Sequence, residues 1–419
     1  MEHIPVIVDM HAEDAAMLWV QRDRAVEAPH FNRKFMARLD ERLEANLDGL
    51  RVAGRAGWDA ARAAYDAFPE PGEVFTLATL AFGANSQRGM SEVFEIIDQD
   101  DDGAKIRAAI SGLGWLEPAL LRGLIQPLLE DPRASVRALG VGACAAHRVD
   151  PGPQLERFLM DVPVVRNTGL KLAGLLGRAD VGALMRSEDV NIGRYRAAWT
   201  MVRLGDRGDA LSTLWRMAAR PGPSQLSAFE LAVIATDPED INARLHETGS
   251  MSEELAVRAA GRIGRGDTVN WLIDRMHDPK LSRLAGESFS MITGADLAFL
   301  DLETDAPDDE GPNDDPADPV VDISLDEELP TPNPVAVAEW WNDRAHLFTG
   351  SCRYILGQEI STETYRTAFN TGFQRQRKTA ALALGCYAPD LPLQSWKMRQ
   401  KRLSDDRHAI GYWEAISLD

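Results

Sequence analysis

Apolar residues recur along the chain at three- and four-residue spacing, and this period predicts helices almost throughout. Phe31, Phe35, Leu39, Leu43, Leu47 and Leu50 step by four, four, four, four and three, with charges on the other face. That pattern predicts one long amphipathic helix. A shorter helix is expected before it, over 14–26 with Trp19 on its apolar side, and a third from Trp58 to Phe68, ended by Pro69 and Pro71. From there the pattern changes. An apolar residue followed by Arg, then small residues at helical spacing, returns at Ile106–Arg107, Val136–Arg137, Val165–Arg166, Tyr195–Arg196 and Val257–Arg258. Ser227 stands in the place of the Arg in one further copy, and successive spacings are 30, 29, 30, 31 and 31 residues.

A fixed period of about this length predicts a stack of helical pairs. The best-marked copy is 131–148, where Asp131 is the expected N-cap, Pro132 suits the first turn, and Val136, Leu139, Gly140 and Ala143 share one face. The other helix of a pair is read in stretches such as 118–131 and 209–220, and weaker copies begin at Phe75 and Leu281. The expected organisation is all-α: an N-terminal helical cap over 1–70, a repeat array over 71–300, an acidic disordered linker over 301–334 and a C-terminal helical segment over 335–419. That last segment opens with a Trp340–Trp341 helix. It carries one more repeat-like helix, in which Arg377–Lys378 replace the apolar–Arg pair, and ends in a basic helix read as a cap.

Charge sharpens this division. The formal charge is -20, yet thirteen acidic and no basic residues fall between Asp301 and Pro330. That stretch holds too few large apolar residues to offset its ordering entropy, so deleting 303–329 is expected to leave the melting temperature almost unchanged. An acidic chain repels phosphate backbones, so nucleic acid is not expected as a ligand. There is no apolar run of membrane-spanning length and no basic, apolar leader, which points to a cytoplasmic protein without membrane contact. Cys144, Cys352 and Cys386 have no metal-type spacing and read as buried thiols in a reducing compartment.

Chemistry is hard to find. DQDDDG at 98–103 begins like a calcium loop, but its twelfth position is Ala109 where a bidentate Glu belongs, so a helix-start turn is the better reading. Eight His residues are scattered without HExxH or Cys–His spacing, and no dinucleotide, phosphate-loop or nucleophile-elbow motif is present. No catalytic, cofactor-binding or metal residues are expected, and no cofactor. The row Arg107, Arg137, Arg166, Arg196 and Arg258 could line a groove for an anion, or could pair with Asp131, Asp161 and backbone carbonyls between units.

Tetratricopeptide and ankyrin signatures are absent. The run Asp131, Val136, Arg137, and again Asp161, Val165, Arg166, followed by small residues, resembles the short-unit HEAT-like repeats also found in phycobilin lyases. The resemblance implies an α-solenoid whose Asp and Arg residues form a ladder from unit to unit, interrupted near Ser227. Deoxyhypusine hydroxylase, a HEAT-like enzyme, holds two irons with several His–Glu pairs. This chain has the single pair His246–Glu247, which cannot hold such a centre. The phrase LDERLEANLDGLRVAGRAGW (39–58), with FTLATLAF and RYILG…GFQRQRKTAALALG, resembles a proteobacterial HEAT-like family whose genes lie near type VI secretion genes. The function expected on these grounds is a non-enzymatic protein-interaction scaffold or adaptor, with another protein as partner, accessory to type VI effector handling. The alternative is a HEAT-like enzyme of the lyase or hydroxylase type.

Overall fold

A computed structural model of the protein describes residues 3–182, 191–241, 243–244, 252–305, 324–349 and 352–400, except the side chains of 191–194. Among these residues lie nineteen α-helices and one antiparallel hairpin of Tyr354–Ile355 (β1) with Gln358–Glu359 (β2). The helices begin with α1 (Pro5–Ala25), α2 (Arg33–Ala53), α3 (Arg55–Ala67), α4 (Pro71–Gly83) and α5 (Gln87–Asp98). They continue as α6 (Ala104–Trp115), α7 (Ile125–Glu130), α8 (Ala134–His147), α9 (Gln154–Leu159), α10 (Pro163–Leu176) and α11 (Asn191–Arg203). Next come α12 (Asp209–Ala218), α13 (Gln225–Ala235), α14 (Glu253–Ile263), α15 (Val269–Arg275) and α16 (Ser282–Thr293). The last are α17 (Pro334–Arg344), α18 (Thr362–Thr371) and α19 (Gln374–Tyr387). No described helix is long and apolar enough to cross a membrane.

Two units follow from the internal contacts. The first comprises Met1–Val26, Lys34–Gly205 and Pro389–Trp413, and the second Glu27–Arg33, Asp206–Ala388 and Glu414–Asp419. In the first unit α4, α6, α8, α10 and α11 each pack against the next. Small residues set the spacing: a Cβ at Gly112 would already touch the Phe75 carbonyl oxygen at 3.0 Å.

Several elements depart from the sequence pattern, each for a local reason. Helix α1 starts at Pro5, well before the expected 14, because Val6, Ile7 and Met10 lie outside the stripe that Trp19 marks. Helix α8 starts at Ala134 instead of directly after Asp131. The Asp131 carboxylate accepts from the Arg133 backbone N–H and its Nε, both at 2.9 Å, and so closes the turn ahead of the helix. The DQDDDG segment is a helix-start turn, in which Asp102 accepts from the Ala104 N–H and Asp100 from the Ile106 N–H.

The acidic segment needs the largest correction. It was expected as a disordered or loosely docked linker over 301–334, and both of its described ends are packed within the second unit. Thr304 N–H donates to the Thr331 carbonyl and Asn333 N–H to the Leu302 carbonyl, each at 2.8 Å, and Leu302 and Leu329 are buried. Residues 306–323 lie outside the described set.

The C-terminal stretch also differs from expectation. Residues 389–399 form no helix; they run in the first unit as an extended strap, and 401–419, where the cap was expected, lie outside the described residues. A chain without regular structure must find partners for its carbonyls elsewhere. Arginines supply them: Arg203 donates to Pro389 O and Leu391 O, Arg148 to Leu393 O, and Arg22 to Lys397 O. Strap residues Leu393 and Trp396 are buried, and Gln400 N–H closes on Asp40 at 2.8 Å.

In the second unit, Leu272, Phe289, Ile292, Val337 and Trp341 anchor an apolar core. Gly264, with φ at +81°, ends α14 and lets β1 come close: Tyr354 N–H donates to the Gly264 carbonyl at 2.7 Å. A Cβ there would stand 2.2 Å from the Tyr354 carbonyl oxygen. The left-handed backbone and this backbone clash together predict that Gly264→Ala costs on the order of 3 kcal/mol. Urea unfolding of the variant measures this directly.

Candidate functional site

The sequence-predicted arginines are scattered over different roles. Arg137 is a rung between neighbouring repeats of the first unit: its Nε and Nη2 grip the Asp161 carboxylate, both at 2.8 Å, while Nη1 donates to Asp131 O and Pro132 O. The Asp161 carboxyl is held below its ordinary range by that guanidinium. Asp131 does not continue the ladder, because its carboxylate is taken by Arg133 in its own turn. Arg166 donates to the Leu159 carbonyl, a backbone anchor. Arg258 pairs with Asp326, which belongs to the acidic segment, and stands 4.0 Å from Glu287. His246 and Glu247 lie outside the described residues.

Arg107 and Arg196 both act on Lys171 of α10, together with Arg148 and Lys397. Crowding by the surrounding protein comes first, and these four like charges second, in lowering the Lys171 ammonium below its ordinary value.

A second charged group lies inside the second unit and was missed from sequence. Glu230 of α13 is ion-paired to Arg262 of α14 at 2.5 Å and to Lys378 of α19 at 2.7 Å. Lys378 also reaches Glu27 at 2.7 Å. On the same helices Arg375 meets Glu287 at 3.2 Å and Asp326 at 2.8 Å. Burial alone would raise the Glu230 carboxyl, but Lys378 and Arg262 override it and hold it at about 2. A signal existed: Glu230 is the lone charge in the apolar run SAFELAVIA, in the copy that lacks its Arg. An ion in such a run must be paired, although the run does not say with what.

Beyond this network a cavity of about 450 Å³ opens where α13 and α19 end, lined by Thr236, Asp240, Arg353, Tyr365 and Tyr387 among others. Burial, with Tyr387 beside it, pushes the Tyr365 phenol up. Cys144 is buried and its thiol is pushed up to about 11 by that burial, whereas Cys352 and Cys386 are half-buried. No group of three or more His, Cys, Asp or Glu among the described residues is placed to hold a metal ion.

No family model, no curated protein and no solved structure matches the chain. Function must therefore be argued from its own surface, and α1 offers the strongest feature. One side of that helix is buried through Val8, Ala12, Ala15, Leu18 and Trp19. The other side is also apolar: Val6 is 62% exposed, Met10 55%, Met17 50% and Val20 43%. Their spacing of four, seven and three places them in one stripe, with Glu13 in its middle and Asp9 and Asp14 at its edges.

Proposed function

We propose that the protein is a non-enzymatic protein-interaction scaffold or adaptor and that the open face of α1 receives its partner. The observation that carries this reading is the set of exposed apolar side chains Val6, Met10, Met17 and Val20 on one face of α1, on either side of Glu13, since large apolar side chains gathered on one exposed face favour an interaction surface. Methionine suits such a face because its flexible thioether adapts to a partner's shape. Charge selects the occupant. Asp9, Glu13 and Asp14 favour a helix or strand that is apolar along one side and carries Lys or Arg opposite Glu13. The consecutive packing of α4, α6, α8, α10 and α11 supports the α-solenoid of HEAT-like units inferred from the repeat. With the resemblance to a family found near type VI secretion genes, it favours a secretion effector or adaptor as that partner.

The test uses full-length protein purified from native cells, then the identified partner titrated back. One stoichiometric partner is expected, and Met10→Asp with Met17→Asp should weaken it at least tenfold, because both side chains are exposed and removing their contact leaves the fold alone. An unchanged affinity in the double variant, or no stoichiometric partner, would sink the proposal.

A further inference from the structure

The cavity where α13 and α19 end lies wholly within the second unit, and its volume of about 450 Å³ suits a small molecule. Leu211, Ile234 and Ala383 give it an apolar wall. Tyr365 and Tyr387 add two tilted rings with centroids 6.1 Å apart. Most polar groups of the lining are already engaged. The Thr236 hydroxyl donates to the Ala232 carbonyl at 2.7 Å and accepts from Trp215 Nε1 at 3.0 Å. Asp237 accepts from the Glu239 N–H at 3.1 Å, and Arg207 and Arg244 each make an interaction of their own.

Two opposite charges in the lining remain. Arg353 is half-buried, and its Nε donates to the Ile263 carbonyl at 2.7 Å, which fixes the guanidinium without neutralising it. Its charge is felt by the Tyr365 phenol in the same cavity, and among the described residues it meets no carboxylate. Asp240 is exposed, and its carboxylate has neither a hydrogen bond nor an ion pair among the described residues. The two groups line one cavity yet are not paired with each other. Ala235 and Tyr387, also in the lining, are the last residues of α13 and α19, so two helix C-termini add partial negative charge that favours a cation.

We propose that this cavity binds a small apolar zwitterion of the amino-acid class, with its carboxylate on Arg353, its ammonium beside Asp240 and its side chain against Tyr365 and Tyr387. The planar guanidinium matches a carboxylate through two parallel N–H donors. A polyanion such as a nucleotide is disfavoured, because it would face Asp237, Asp240 and both helix C-termini.

L-leucine, L-phenylalanine and L-leucyl-L-leucine are the probes, titrated calorimetrically into the full-length protein. Saturable binding of at least one is expected, and their relative affinities tell a free amino acid from a short peptide. Acetylating the amine or amidating the carboxylate of the best probe removes one charge, and each change should weaken binding at least tenfold. Asp240→Asn should weaken the parent probe about tenfold and leave the acetylated form unaffected, and Arg353→Gln should do the same with the amide. A merely structural role would lower the parent and its blocked forms together. Asp240 is exposed, so Asp240→Asn is expected to keep the fold. Arg353 also serves the Ile263 carbonyl, so a circular dichroism melt accompanies Arg353→Gln, and Asp240→Asn decides the matter if that variant unfolds early. The proposal is overturned if no probe binds saturably, if the blocked forms bind as tightly as the parent, or if either folded variant keeps the wild-type affinity.

Discussion

Glu230→Ala is expected to lower the unfolding free energy of the second unit by about 3–5 kcal/mol, because it strands buried cations whose partner it was. The Arg262 side chain is 3% exposed and has Glu230 as its carboxylate; Lys378 is 12% exposed and pairs with Glu27 as well as with Glu230. The loss comes from desolvated charge left alone, more than from the attraction removed. Replacing Glu230, Arg262 and Lys378 together by apolar residues of similar volume should therefore recover most of the stability. Chemical denaturation of both variants, followed through Trp215 and Trp271, separates the two outcomes. If the single variant unfolds at the wild-type denaturant concentration, the network is not under the electrostatic tension described.

The same carboxyl fixes a pH dependence. Its folded value of about 2 lies below the ordinary 4.5, so the folded state binds fewer protons than the unfolded state between those limits. The contribution is complete above about pH 4.5 and is lost as pH falls towards 2. Glu230→Ala should flatten that part of the acid unfolding curve.

Asp326→Ala is the second large effect, at about 2–3 kcal/mol, somewhat smaller because Asp326 is 30% exposed. Its carboxylate bridges Arg258 and Arg375, and Glu287 would be left to serve both. Arg258 and Arg375 in turn hold the Asp326 carboxyl below its ordinary value despite burial, so this contribution too is lost as pH falls through the carboxylate range. Deleting 303–329 removes Asp326 and the buried Leu329 together. That deletion is expected to cost at least as much as the point variant, the reverse of what the acidic composition suggested. Comparing the two melting temperatures decides it: an intact melt after deletion would mean that the packed end contributes nothing.

Much of the helical architecture was legible in the chain. Leu39, Leu43, Leu47 and Leu50 are buried on one side of α2, and the turn at Asp100–Asp102 opens α6, because a helix and its start depend on residues within a few positions. Arg137 and Asp161 stand out as repeat positions, but the spacing leaves open whether they pair with each other. The repeat misled where neighbours broke its symmetry: Asp131 turned to Arg133, and Arg258 turned to Asp326.

The sequence by itself determined where most helices form and that no familiar catalytic motif is present. Only the tertiary structure decided that Asp326 docks the acidic segment, that arginines cap the carbonyls of the 389–399 strap, and that Glu230 meets Lys378. Composition reports an average, and it hid the few apolar and charged residues that pin the ends of a polar segment. Helical periodicity is a short-range signal, whereas Lys378 and Glu27 are 351 residues apart and carry no shared pattern along the chain. What unites them is the low dielectric of a packed interior, where a charge must find its opposite wherever the fold brings one within reach.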